Sequence, residues 1–284
     1  MKKHLTLPLL ALAGGLLGLA LRLGQNKTGF EAATGLPVPG NLWGILLVAS
    51  LAAGMVLTVL LVRPLPAGSA QDSNSFPEAF STQNLIFLSL LVAGIFLIAL
   101  SGLLEMASGA GLFPILREYD STFSLALVSG SASRKLFLIL GAINAAIAVC
   151  LLSVVPACRR AGHHEATTAI HKICGSLLLV PPAVLVVRLV ATYREVSVIP
   201  SLTTYYVEIL AFVALTLAFY RLSSFAFQSG DTRRFALYST AAVMLSLTVL
   251  ADQSSLCGVL FYLGCALALL GFLLIRLDNA PSNL

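Results

Sequence analysis

The sequence predicts an all-α integral membrane protein, a bundle of about eight transmembrane helices forming a single polytopic domain over residues 1–284. Three observations carry this. Of the 284 residues, 58% are hydrophobic and only 10% charged, where a soluble domain is typically about 25% charged. Mean hydropathy is +0.95. The apolar residues also gather into eight runs, each close to the roughly 20 residues that cross the hydrocarbon as a helix. Hydrocarbon offers no partner to a backbone N–H or C=O, so each embedded run satisfies its own groups by coiling. Eight such runs and their connections fill the chain and leave no room for a separate soluble domain.

The first run, Leu5–Leu23, follows Lys2 and Lys3 in the manner of a secretory signal. Cleavage after Ala11-Leu12-Ala13 would leave an apolar core of only Leu5 to Leu10, short of the usual 7 to 15 or so residues, so the run is read as a retained span. Gly14 and Gly18 give it a stripe of small residues that lets a neighbouring helix come close. Turn residues Gly35-Leu36-Pro37-Val38-Pro39-Gly40 lead into Leu42–Val62, and Pro64-Leu65-Pro66-Ala67-Gly68 ends it. Leu85–Met106 and Leu136–Val155 are separated by the segment Ala107 to Arg134. Its apolar patches, Leu112–Leu116 and Phe123–Val128, are too short to cross. An extended external loop at the membrane interface is expected there.

The fifth span, Ile173–Val190, carries Pro181-Pro182 near its centre. Two prolines remove two N–H donors and clash with the preceding turn, so a broken helix with free carbonyls near Leu177 and Leu178 is expected. The sixth, Leu202–Tyr220, follows Pro200; the seventh and eighth, Phe235–Leu250 and Leu256–Ile275, are joined only by Ala251-Asp252-Gln253-Ser254-Ser255, which requires a tight hairpin.

The net charge of +5 does not point to nucleic acid, because the basic residues are scattered at the ends of apolar runs rather than gathered on a polar face. They act as topology signals. Arg159-Arg160 and Arg233-Arg234 lie in short connections on one side, and positive charge in short loops marks the cytoplasmic face. Both termini are therefore placed in the cytoplasm and the protein in a bacterial plasma membrane, with Trp43, Tyr193, Tyr205 and Tyr206 at the outer interface. Cys150, Cys158, Cys174, Cys257 and Cys265 form no CxxC pair and fall mostly in apolar runs, which suits packing rather than a disulfide framework.

Ionisable groups inside spans are the strongest chemical signal, since a charge at the bilayer centre costs at least about 2.5–3.5 kcal/mol. Four share the outer half. Glu208 lies about 10 Å below the outer end of the sixth span at 1.5 Å per residue, Arg188 and Glu105 lie near the outer ends of the fifth and third, and Asp252 sits in the last external turn. The sequence reading pairs Glu208 with Arg188. Glu105, Asp252 and Tyr205 join them in an outward-facing pocket above the Pro181-Pro182 break, the kind of broken helix that holds substrates and ions in many transporters.

The inner side offers Cys158, His163, His164, His171 and Cys174, donors that suit zinc or copper. Their spacing matches no metal pattern, Arg159, Arg160 and Lys172 repel a cation, and axial haem ligands belong inside spans, which only His171 approaches. No metal is expected, and no cofactor is assigned. Phosphate loops, nucleophile elbows and HExxH are all lacking. A small permease for an ion or polar solute is the expected function. The alternatives are a non-catalytic anchor or regulatory subunit, recruiting a partner subunit or a second copy through Gly14, Gly18, Gly94, Gly102, Ala266 and Gly271, and an intramembrane enzyme acting on lipid or quinone through Glu208 or His171.

Overall fold

A computed structural model describes residues 5–31, 38–65, 76–112, 130–159, 176–196, 206–253 and 255–280. Eight long helices carry the fold: α1 (Thr6–Thr28), α2 (Leu42–Val62), α3 (Leu85–Ala110), α4 (Gly130–Arg159), α5 (Val180–Val196), α6 (Tyr206–Ser224), α7 (Thr232–Val249) and α8 (Leu256–Asp278), with one helical turn at Phe76–Ala79 before α3. Seven stretches, those of every long helix except α7, are long and apolar enough to cross a membrane. The chain is an integral membrane protein.

Side chains cap the orphan N–H groups at several helix starts. Asn41 accepts from Trp43 and Gly44, Asn84 from Ile86, Asp231 from Arg234, and Ser255 from Gly258. Helix α3 stops at Gly111, whose φ of 81° is a left-handed conformation that suits glycine. Successive helices alternate in direction, so Thr6 and Asp278 share one end of the bundle, here the terminal end. The α7–α8 turn marks the opposite, Asp252 end.

Helix α7 is the hub. It packs on α1, α6 and α8 and along the edge of α2, and every residue from Ser239 to Val249 is buried. Protein rather than lipid surrounds it from Ser239 on, so its serines and threonines are tolerated there, while Arg233 and the exposed Arg234 lie in its first turn, and it is the least apolar of the eight. Helix α2 is the reverse: Ile45, Val48, Val56 and Leu60 are exposed, as a lipid-facing rod requires.

Glycine sets how closely the others approach. A Cβ on Gly102 of α3 would lie 2.8 Å from the Gly141 carbonyl oxygen of α4, and one on Gly141 would lie 2.7 Å from that of Gly102. Gly94 of α3 and Gly264 of α8 meet in the same reciprocal way. Helix α3 is thus wedged backbone to backbone between two neighbours, the contact that small residues permit in membranes. Gly14 and Gly18 of α1 instead face the Met244 and Thr248 side chains of α7. The small residues expected to recruit a partner are used within the chain.

At the terminal end the Phe80 ring meets Phe225, Phe235 and Phe272 edge-on at 5.2–5.8 Å. Asn279 donates to the Ala79 and Ser81 carbonyls at 3.2 and 2.6 Å. The residues before α3 therefore close this end of the core.

Several boundaries differ from the sequence reading. Helix α3 runs on to Ala110 and α4 begins at Gly130, so part of the segment assigned to an external loop is helix; residues 113–129 lie outside the described ones. Among the described residues, Ser176–Leu178 form a short helical piece, Leu179 a turn, and α5 starts at Val180. Pro181 and Pro182 consequently occupy its first turn, not its centre. A missing N–H costs little there, because first-turn donors have no intrahelical partner. The break exists at Leu179, inside the stretch Ser176–Tyr193 that is long and apolar enough to cross.

Substituting Gly102→Ala should cost about 1–3 kcal/mol, because two backbones must separate. Gly14→Ala should cost less, since the Met244 side chain can swing aside. Thermal unfolding of the two variants in detergent checks the ranking.

Candidate functional site

Three adjoining polar clusters fill the Asp252 end. The deepest joins α3, α4 and α5. Arg188, about 12 Å from the end of α5 at 1.5 Å per residue, donates to Glu105 Oε1 at 2.9 Å and to Asn144 Oδ1 at 2.8 Å. Asn144 returns a bond from Nδ2 to Glu105 Oε2 at 2.8 Å. Below them, Ser101 donates to the Cys257 carbonyl at 2.8 Å. The Gly102–Gly141 contact explains this closeness, because it sets Asn144 beside Gly102, where a Cβ would lie 3.1 Å from that of Asn144, and Glu105 lies three residues further along α3. The guanidinium also lies 4.3 Å from the Phe261 ring centroid, a cation–π contact that gains strength away from water.

The second cluster lies at the mouth. Arg22, fully buried, donates from Nε to both Asp252 oxygens at 2.8 and 3.0 Å and from Nη1 to Gln25 at 2.8 Å. Asn26 donates to Asp252 Oδ1 at 2.8 Å. Burial pushes the Asp252 carboxyl above the usual carboxylate range, against the pull of Arg22 and Asn26.

Between the two sits Glu208, in the first turn of α6. Its Oε1 accepts from the Tyr262 hydroxyl at 2.9 Å and from Gln253 Nε2 at 3.2 Å. The positive end of the α6 dipole favours a carboxylate at this position. Arg188 and Asp252 both act on it electrostatically, so the three clusters form one polar file from the α7–α8 turn into the bundle.

The sequence-derived group therefore gathers at one end with different partners. Arg188 pairs with Glu105, not Glu208, and Asp252 pairs with Arg22. Glu208 lies one turn inside α6 rather than midway down the outer half. Pro181 and Pro182 lie in the first turn of α5, six to seven residues before Arg188 and so about 10 Å from it toward the terminal end at 1.5 Å per residue. Tyr205 lies outside the described residues, as do His163, His164, His171 and Cys174. Cys158 is buried in α4, and its carbonyl accepts from the Thr82 N–H at 2.9 Å. Among the described residues no group of three or more His, Cys, Asp or Glu side chains could hold a metal ion.

Sequence reasoning missed Arg22, Asn144, Gln253 and Tyr262. Arg22 was counted as a flanking topology charge, whereas α1 continues to Thr28 and buries it. Asn144 carried a usable signal: a lone amide within Gly141-Ala142-Ile143-Asn144-Ala145-Ala146-Ile147 is as anomalous as a charge. Comparison with protein-family models, curated proteins and solved structures returned no match.

Removing one member of a buried pair leaves the other charge uncompensated, at about 3–5 kcal/mol. Arg188→Ala should lose about that much stability. Glu105→Gln should offset more of the loss than Glu208→Gln, and double-mutant cycles of unfolding in detergent measure the difference.

Proposed function

We propose that the protein is a small permease for a proton or another small ion or polar solute, with Glu208 as the group that receives it. One observation carries the reading. Of the three acids in the file, Glu105 and Asp252 are each met by a guanidinium at hydrogen-bonding distance, whereas the Glu208 partners are the neutral Tyr262 and Gln253. An ion whose bonded partners are neutral is costly away from water. A proton or cation arriving at Glu208 relieves that cost, while the two neighbouring acids are already neutralised.

The surroundings support this role. Arg188 and Asp252 act on Glu208 from opposite sides and set the charge that an arriving ion meets. Glu105 holds Arg188, and Tyr262 with Gln253 orients the carboxylate. Buried hydroxyls of Ser239, Thr240 and Ser246 on α7 have no hydrogen-bond partner among the described residues, and they supply polar stepping points toward the terminal end. Near that end the Arg221 guanidinium lies 5.6 and 5.9 Å from the Tyr220 and Tyr238 ring centroids. With both termini in the cytoplasm of a bacterial plasma membrane, as the paired arginines suggest, Glu208 faces outward.

The anchor-subunit reading draws on the exposed face of α2. Bilayer lipid accounts for that face equally well, and the internal use of the glycine contacts weakens it. An enzyme acting on lipid or quinone would need a base beside a substrate-sized hollow. Glu208 is instead packed against protein donors.

Purified protein reconstituted into vesicles containing a pH-sensitive dye, under an imposed potassium diffusion potential, provides the test. The wild type should admit protons in response to the potential, and Glu208→Gln should fall to the level of protein-free vesicles while remaining folded. A Glu208→Gln variant as active as the wild type would exclude Glu208 as the receiving group. A folded but inactive wild type, assayed also with sodium and potassium gradients, would favour the anchor.

A further inference from the structure

At the terminal end, away from the polar file, α3 and α4 enclose a groove of about 600 Å³ lined by Leu88, Val92, Val155, Pro156 and Arg159. Its origin is visible in the sequence. Where glycine faces glycine, at Gly102 and Gly141, the helices touch through their backbones. About three to four turns along α3 toward the terminal end, the residues that line the groove are branched side chains and a proline. Pro156, inside α4, has no N–H to bond to the Leu152 carbonyl, and its ring crowds the preceding turn. The gap that results opens on the lipid-facing side of the bundle: Leu152 and Pro156 are exposed, and Leu88 and Val92 occupy the first two turns of α3.

The chemistry of the groove is divided. Four of its five lining residues are hydrocarbon, and the fifth, Arg159, is the exposed last residue of α4. No carboxylate among the described residues forms an ion pair with it. An arginine at the end of a membrane-spanning helix carries its charge to headgroup depth while its stem lies along apolar surface. Val155 is four residues before Arg159, so a cation and an apolar channel share one face of α4.

We infer that this groove is a binding site for an anionic phospholipid. One acyl chain lies along Leu88, Val92, Val155 and Pro156, and the phosphate sits on Arg159. Charge complementarity selects the occupant. A neutral apolar molecule would leave Arg159 unmatched, and a soluble phosphate would leave the hydrocarbon walls unmatched. Only an amphiphile with a negative head meets both. An exposed arginine at the membrane face is the kind of group that attracts anionic lipid.

The experiment compares the delipidated full chain in neutral detergent with and without added lipid. Dioleoylphosphatidylglycerol at tenfold its Kd should raise Tm by about 3–5 °C. Dioleoylphosphatidylcholine and inorganic phosphate should raise it far less, and native mass spectrometry should show one retained phosphatidylglycerol. Arg159→Ala, with Arg160 kept, should abolish the preference for the anionic lipid without lowering Tm in detergent alone. Val92→Trp, which fills the groove, should lose the retained lipid while Arg159 is intact. Equal stabilisation by the two lipids, or an Arg159→Ala variant that keeps the preference, would overturn the assignment. So would stabilisation by inorganic phosphate equal to that by the lipid. Should Val92→Trp unfold, Leu88→Ala serves instead, and unchanged lipid retention there would count against the acyl-chain path.

Discussion

Hydrocarbon does not solvate charge, and the arrangement of the Asp252 end follows from that constraint. Two arginines sit within helices that lipid would otherwise reject, and each is tolerated because a carboxylate meets it at 2.8–2.9 Å. These pairs also fix which helices are neighbours. Arg188 and Glu105 tie α5 to α3 with Asn144 of α4 between them, and Arg22 and Asp252 tie α1 to the turn leaving α7. A buried pair contributes little net stability over an apolar replacement of the same shape. What it contributes here is register, since this setting of α5 along α4 satisfies both Arg188 and Asn144.

Packing and charge cooperate. Glycine crossings bring α3 against α4 and α8 with no side chain between, and Asn144, beside Gly102, is then within hydrogen-bonding reach of Glu105. Hub helix α7 shows the converse. Because protein covers all its faces, it needs no apolar surface and can carry the serines and threonines that the other helices largely lack. The lipid-facing α2 is strongly apolar, while the least apolar of the eight helices, α7, lies in the interior.

Much of this was legible in the sequence, for identifiable reasons. Span number and approximate limits follow from the length of apolar runs, and the shared depth of Glu105, Arg188 and Asp252 follows from counting residues from a helix end. Partnership does not follow, because it depends on which helices are adjacent, and the bonded residues are separated by tens to hundreds of positions. Glu208 was thereby assigned the wrong partner. Pro181 and Pro182 were misplaced because the apolar maximum of the fifth run lies before the point at which α5 starts, and the helix continues through the more polar Thr192-Tyr193-Arg194. Arg22 was taken for a flanking charge because the apolar run ends at Leu23, five residues before α1 does. A run of hydropathy measures the oil that a helix touches, whereas the helix itself extends as far as its hydrogen bonds.

The Arg22–Asp252 bond closes a separation of 230 residues along the chain, and this has a consequence for how the protein is made. Helix α1 leaves the ribosome first and brings its arginine into the membrane long before the aspartate exists. At about 5–20 residues per second of synthesis, the wait lasts on the order of ten to fifty seconds. During it the guanidinium must reach up to the headgroups, so the newborn first helix rides high in the bilayer. It sinks to its final depth, with its glycines against Met244 and Thr248, only once the seventh helix has been delivered beside it.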